Sequence, residues 1–208
     1  MIGACLSQGR AQTKSAVSYK NPVVDIAMPD PTVIKAADGY FYVYATESTR
    51  NVPIMKSKDL VEWTYCNTAF TNKTRPRFEP KAGIWAPDIN YINGKYVLYY
   101  AMSVWGGEQT CGIGVATANS PQGPFTDHGK MFRSNEIGVQ NSIDPSLLQY
   151  EGRNYLVWGS FRGIYVIELT EDGLSLKPGA EKKRIAGTAF EAAYIHKHGD
   201  YYLSLIHI

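Results

Sequence analysis

Residues 88–100 read DINYINGKYVLYY, and this stretch decides the fold. Apolar and aromatic side chains fill the two short segments that flank the pair Asn93-Gly94. An Asn-Gly pair supplies the positive φ angles that a tight hairpin turn needs, and aromatic and β-branched residues favour strands. The stretch therefore predicts a β-hairpin whose first strand begins at an acidic residue, Asp88.

The same plan occurs four times along the chain. Each copy has an acidic residue, a short apolar strand, a turn that contains glycine, and a strand rich in tyrosine. The copies begin at Asp30, Asp88, Asp144 and Glu191. The residues between them read as further strands, for example 111–118 and 163–169. A repeat of about 50 residues with four strands is the size of a β-propeller blade. We therefore predict an all-β chain with almost no helix, which holds about three and a half blades.

The repeat predicts that the four acidic residues lie close together, because the inner strands of a propeller line its central axis. Clustered carboxylates either bind a hard cation such as Ca²⁺ or divide the acid and base work of glycoside hydrolysis. An Asp before a proline also opens turns by accepting backbone hydrogen bonds. Asp30 and Asp144 precede prolines and fit the chemical and the structural roles equally. Asp88 follows a proline, and the structural role suits it better.

The composition excludes several classes of function. The net charge of +2 comes without a block of one sign, which argues against a nucleic-acid partner. No stretch is long and apolar enough to span a membrane. The three cysteines have neither a CxxC pair nor the spacing of metal ligands, so we predict no metal-ligating residues. The 15 tyrosines and 4 tryptophans suit strand packing and stacking on sugar rings alike.

The N-terminal segment resembles the end of a bacterial export signal. Residues 2–5 read IGAC, like a lipoprotein cleavage box, which would put a lipid anchor on Cys5. Residues 10–12 resemble an ordinary signal cleavage region instead, and a simple tail over residues 1–20 is an equal alternative. An export signal would place the protein outside the cytoplasm, in the periplasm, at the cell surface or in the medium of a bacterium.

The C-terminal residues 203–208 read LSLIHI, which is also the translation of a widely used sequencing-library adapter. We therefore expect this segment to derive from an adapter, although a natural strand could carry the same letters. The expected catalytic domain is then 21–202, which ends inside the fourth blade. A chain cut short in this way would lack the last blade of a propeller.

Five motifs, in their order and spacing, resemble the family 43 glycoside hydrolases. They are residues 28–33 (MPDPTV), 85–89 (WAPDI), 141–146 (NSIDPS), 159–164 (GSFRGI) and 190–195 (FEAAYI). The resemblance runs from Asn21 to Tyr202, and the third and fourth motifs are most similar to the endo-acting arabinanases. It implies a five-bladed propeller that cleaves α-1,5-linked arabinan with inversion. It implies no cofactor for the chemistry, and a structural calcium ion on the propeller axis is a further expectation.

The resemblance also implies a role for individual residues. Asp30 matches the general base, Glu191 the general acid, and Asp144 the third carboxylate, which holds the acid and keeps it protonated. The implied substrate-binding residues are Trp85, Trp105, Asn141, Ser160, Phe161 and Arg162. Both histidines of the last hairpin, His196 and His198, are expected on the surface.

Three other functions stay open at this point. An exo-acting α-L-arabinofuranosidase or β-xylosidase would use the same three carboxylates and differ in the loops that close the cleft. A non-catalytic propeller that only binds sugar is less consistent with three intact carboxylates. The chain could also be an inactive fragment of an active enzyme.

Overall fold

The computed structural model describes residues 18–207, and almost all of their regular structure is β-strand. The first sheet contains β1 (Thr32–Lys35), β2 (Phe41–Tyr44), β3 (Pro53–Ser57) and β4 (Thr64–Thr68). The second contains β5 (Gly83–Ile92), β6 (Lys95–Ser103), β7 (Gly112–Ala118) and β8 (Thr126–Arg133). The third contains β9 (Ser146–Tyr150), β10 (Arg153–Trp158), β11 (Ile164–Glu168) and β12 (Lys183–Ala186). A fourth sheet pairs β13 (Glu191–His198) with β14 (Tyr201–His207).

Each sheet is an antiparallel meander in which neighbouring strands follow one another in sequence. Three four-stranded sheets and one hairpin are the three and a half blades that the repeat predicted. Within the described residues the one α-helix is the single turn α1 (Ser134–Ile137), so the expectation of almost no helix is confirmed. The predicted Asn-Gly turn is also present, because Asn93 and Gly94 have φ angles of 48° and 81°.

The apolar core lies between adjacent sheets and takes up most of the aromatic residues. Tyr44, Phe70 and Tyr100 are buried between the first and second sheets. Tyr99 and Trp158 are buried between the second and third. Edge-to-face contacts such as Phe70 against Tyr100, with ring centroids 5.7 Å apart, add to the area that these rings bury. Strand packing therefore accounts for much of the aromatic content.

A left-handed residue recurs at the axial end of each blade. Its φ angle is 49° at Asp30, 39° at Ala86, 55° at Asp144 and 54° at Ala192. In β5 and β13 this residue falls where the pairing register shifts, which is the mark of a β-bulge. Bulges re-aim side chains and concentrate near active sites. The four backbones therefore turn at equivalent places around the axis.

Polar residues two positions further on connect each blade to the next. The Thr32 hydroxyl donates to Asp88 Oδ1 at 3.4 Å, and the Leu147 N–H donates to Asp88 Oδ2 at 2.8 Å. The Ser146 hydroxyl donates to the Ala193 carbonyl at 2.7 Å. Asp88 thus occupies the position of Thr32 and Ser146 rather than that of Asp30. The sequence alignment of Asp88 with Asp30 was wrong by two residues, because the left-handed residue of the second blade is Ala86, which carries no carboxylate.

Candidate active site

The carboxylates of Asp30, Asp144 and Glu191 line one cleft of about 600 Å³ at the axial end of the blades. A smaller cavity of about 290 Å³ lies along the axis beside it, and Asp30 and Asp144 border both. Asp88 is buried in this axial cavity and does not line the cleft. The structure therefore brings together three residues that are up to 161 positions apart in sequence.

Asp30 sits at the rim of the cleft, two residues before the start of β1, with an exposed side chain. The Thr46 hydroxyl donates a hydrogen bond of 2.5 Å to Asp30 Oδ2. Thr46 follows β2, the strand that pairs with β1, so the hairpin brings the two residues together. Thr46 was not identified from the sequence, and no repeated pattern marks it.

Asp144 is partly enclosed between Asp30 and Glu191. Burial, and then the neighbouring charges of Glu191 and Asp30, raise the pKa of Asp144 to about 7. The Ala192 N–H donates to its carboxylate and opposes this shift. Because burial and like charges both disfavour ionisation, the Asp144 carboxyl takes up a proton near neutral pH.

Glu191 is the first residue of β13 and accepts a hydrogen bond of 2.8 Å at Oε2 from the Ser160 hydroxyl. The backbones of Ser160 and Glu191 also form an isolated β-bridge, so the third sheet holds the start of the fourth. Ser160 is buried, and its hydroxyl is directed at a carboxylate. This hydrogen bond holds the Glu191 carboxylate, and the sugar contact that the resemblance implied for Ser160 stays a prediction.

The Asp144 carboxyl should make the stability of the fold depend on pH. Its pKa is higher in the folded protein than in an unfolded chain. Its contribution to the free energy of unfolding is therefore complete below about pH 4 and lost as the pH rises through about 7. Asp144→Asn should leave that free energy nearly unchanged at pH 4 and raise it at pH 8 by on the order of 1–3 kcal/mol.

Denaturant unfolding of both proteins at the two pH values measures this difference. The amide oxygen of the substituted asparagine can still accept the Ala192 hydrogen bond, so the comparison isolates the charge. A variant that is equally stable or less stable than the parent at pH 8 would contradict the raised pKa of Asp144.

Aromatic side chains form the walls of the cleft. Trp85 and Trp105 lie with ring centroids 5.6 Å apart and planes at 54°. Trp105 is 94% exposed and Phe161 is 42% exposed. Large rings left in solvent beside carboxylates offer flat apolar faces to a sugar.

Arg162 and Asn141 both form contacts within the protein, and the sugar contacts that the resemblance implied for them stay predictions. The Arg162 guanidinium forms a two-pronged ion pair with Glu108, with the shortest N–O distance 2.9 Å, and Arg162 is not among the cleft-lining residues. Asn141 lines the cleft, and its side-chain amide donates to the Ser160 carbonyl at 3.2 Å. The ion pair ties the loop that carries Trp105 to the loop that carries Phe161. The sequence did not identify Glu108 as a site residue, because its partner Arg162 lies 54 residues away.

No group of three or more His, Cys, Asp or Glu side chains among residues 18–207 is arranged to hold a metal ion. His196 and His198 lie on the β13–β14 hairpin and are exposed, as expected. Across the same residues, no helix has the length and apolar character needed to cross a membrane.

Comparison with known proteins gives a consistent result. The family model described as "Glycosyl hydrolases family 43" matches residues 19–205. The extracellular endo-α-(1→5)-L-arabinanase 1 of Bacillus subtilis (strain 168) is 36% identical over 189 residues. That match covers 84% of this chain but 57% of the relative, so the chain spans little more than half of its length.

Solved structures also superpose on most of this chain. The Cellvibrio cellulosa α-L-arabinanase complexed with arabinohexaose superposes with a TM-score of 0.77 at 27% identity, covering 87% of this chain and 64% of that one. An exo-1,5-α-L-arabinanase from a bovine ruminal metagenomic library superposes with a TM-score of 0.74 at 30% identity, covering 91% of this chain and 67% of that one.

Proposed function

Because the chain belongs to the glycosyl hydrolases of family 43, we propose that it hydrolyses α-1,5-linked arabinan by an inverting acid/base mechanism. The fold is part of a five-bladed β-propeller, of which the described residues hold three four-stranded blades and one hairpin. The observation that carries the proposal is the convergence of Asp30, Asp144 and Glu191 on one cleft with exposed aromatic walls.

In the proposed reaction, the Asp30 carboxylate removes a proton from a water molecule as the water oxygen attacks the anomeric carbon. The glycosidic C–O bond breaks on the opposite side of that carbon, and the leaving oxygen takes the proton of Glu191. Inversion needs the two carboxyl groups about 6.5–9.5 Å apart, so that the water fits between base and sugar. After product release Asp30 loses its proton to solvent and Glu191 regains one.

Asp144 is proposed to be the third carboxylate of the site, which holds the acid Glu191 in place. Its raised pKa indicates that the cluster binds a proton near neutral pH, and coupled carboxyls of this kind titrate as a group. The Ser160 hydrogen bond to Glu191 Oε2 leaves Oε1 to carry the proton towards the sugar.

The substrate is proposed from the relatives and from the walls of the cleft. The B. subtilis relative is named an endo-α-(1→5)-L-arabinanase, and the C. cellulosa enzyme was solved with arabinohexaose. Exo action is the second candidate, since the metagenomic relative is named an exo-1,5-α-L-arabinanase at a similar identity. The two differ in whether the cleft admits a chain from both ends.

Hydrolysis of linear α-1,5-arabinan followed by proton NMR tests the proposal. We expect short oligosaccharides whose newly formed anomeric centre is first β, because an inverting enzyme reverses the α linkage. Arabinose as the sole early product would assign exo action. An initial α-anomer would overturn the inverting mechanism, and binding of arabinan without any cleavage would favour a sugar-binding propeller.

The remaining predictions concern the ends of the chain and a bound ion. We propose 21–202 as the catalytic part and a location outside the cytoplasm, which the extracellular B. subtilis relative supports. The proposed anchor at Cys5 lies outside the described residues.

Residues 203–207 pair with β13 as part of β14, and their origin in an adapter stays a prediction. The calcium ion on the axis also stays a prediction, and no step above depends on it.

A further inference from the structure

The Thr46 hydroxyl forms two hydrogen bonds, one as acceptor and one as donor. Its Oγ1 accepts a hydrogen bond of 2.7 Å from the Ala86 N–H and donates one of 2.5 Å to Asp30 Oδ2. Because the N–H occupies a lone pair of the oxygen, the hydroxyl proton is directed at the carboxylate. The three groups form a short chain that runs from the second blade to the rim of the cleft.

The segment around Thr46 is held firmly by the backbone. The Thr46 N–H donates to the Pro29 carbonyl at 2.9 Å, and the Glu47 N–H donates to the Ile84 carbonyl at 3.1 Å. These bonds fix Thr46 against the residue before Asp30 on one side and against β5 on the other. The position of its hydroxyl is therefore set by two blades together.

A buried ion pair next to Thr46 adds to this support. The Glu47 carboxylate binds the Arg75 guanidinium and accepts the N–H groups of Asn51 and Ile84 at 2.8 and 2.9 Å. Burial alone would raise the pKa of Glu47, but these hydrogen bonds outweigh it and lower the pKa. Glu47 therefore stays ionised and anchors the residue that precedes it, Thr46.

Asp30 has little else to fix its side chain. It is exposed, and among the described residues Thr46 is its one side-chain hydrogen-bond donor. We propose that Thr46 is a positioning residue for the general base: its hydroxyl holds Asp30 Oδ2 and leaves Oδ1 free to take the proton of water. This inference rests on the proposed function, since it presumes that Asp30 is the base.

Two substitutions separate positioning from simple packing. Thr46→Val keeps the shape but removes the hydroxyl, and we expect kcat on arabinan to fall about 10–100-fold with a small change in KM. Thr46→Ser keeps the hydroxyl and should retain kcat within about threefold.

A second measurement does not depend on turnover. Crystal structures of both variants should show the Asp30 carboxylate displaced in Thr46→Val and in place in Thr46→Ser. An unmoved carboxylate in Thr46→Val, or an unchanged kcat beside an active parent, would overturn the role of Thr46. If the parent does not cleave arabinan while the carboxylate moves as expected, the proposed function fails and the positioning contact stands.

Discussion

Replacing Glu191 with glutamine is expected to lower kcat on linear α-1,5-arabinan by about 10²–10⁴-fold. The glutamine amide can still accept the Ser160 hydrogen bond at its oxygen, so the geometry of the site should be kept. What it cannot do is give a proton to the leaving oxygen. The leaving group of arabinan is a sugar hydroxyl, which departs poorly as an anion. Cleavage of the glycosidic bond is therefore slow when no acid protonates the leaving oxygen.

An aryl arabinoside with a good leaving group should be affected much less, because such a group needs little protonation as it departs. Comparing kcat for the two substrates therefore tests whether Glu191 acts as the acid, and not only whether activity depends on it. Glu181→Gln makes the same chemical change at an exposed residue away from the cleft and should leave both rates unaltered. Equal losses on both substrates in Glu191→Gln would contradict its assignment as the acid.

The sequence predicted the blades because their signals are local. Each hairpin carries its own turn residues and its own tyrosine-rich strand, as at Asn93 and Gly94. A repeat then implies a common axis, and a common axis implies that distant carboxylates meet. Asp30, Asp144 and Glu191 could for that reason be placed near one another without any knowledge of their contacts.

The sequence could not reveal features that depend on how the blades pack. The structural equivalent of Asp30 in the second blade is Ala86 and not Asp88, because both are left-handed residues, and no residue pattern predicts this. The contact of Thr46 with the Ala86 N–H joins two blades, and that of Arg162 with Glu108 joins two loops. The raised pKa of Asp144 likewise follows from burial that only the assembled cleft provides.

Replacing Asp30 with asparagine should reduce turnover of arabinan and of the aryl arabinoside alike, by about 10³-fold or more. Both substrates need an activated water, so a good leaving group cannot compensate for a missing base. The substituted asparagine can still accept the Thr46 hydrogen bond through its amide oxygen, and the structure of the cleft should therefore be retained. The substitution removes the charge that takes up the proton of water.

The pattern of losses across the two substrates distinguishes base from acid. Asp25→Asn, an exposed change in the segment that leads to the first blade, serves as the matched control and should have the activity of the parent. Arabinan binding, measured by calorimetry, should be nearly unchanged in Asp30→Asn, because its kcat and not its affinity is affected. Glu191→Gln is expected to retain most of its kcat on the aryl arabinoside. If Asp30→Asn retained it instead, the roles of acid and base would have to be exchanged, because only the acid is dispensable for a good leaving group.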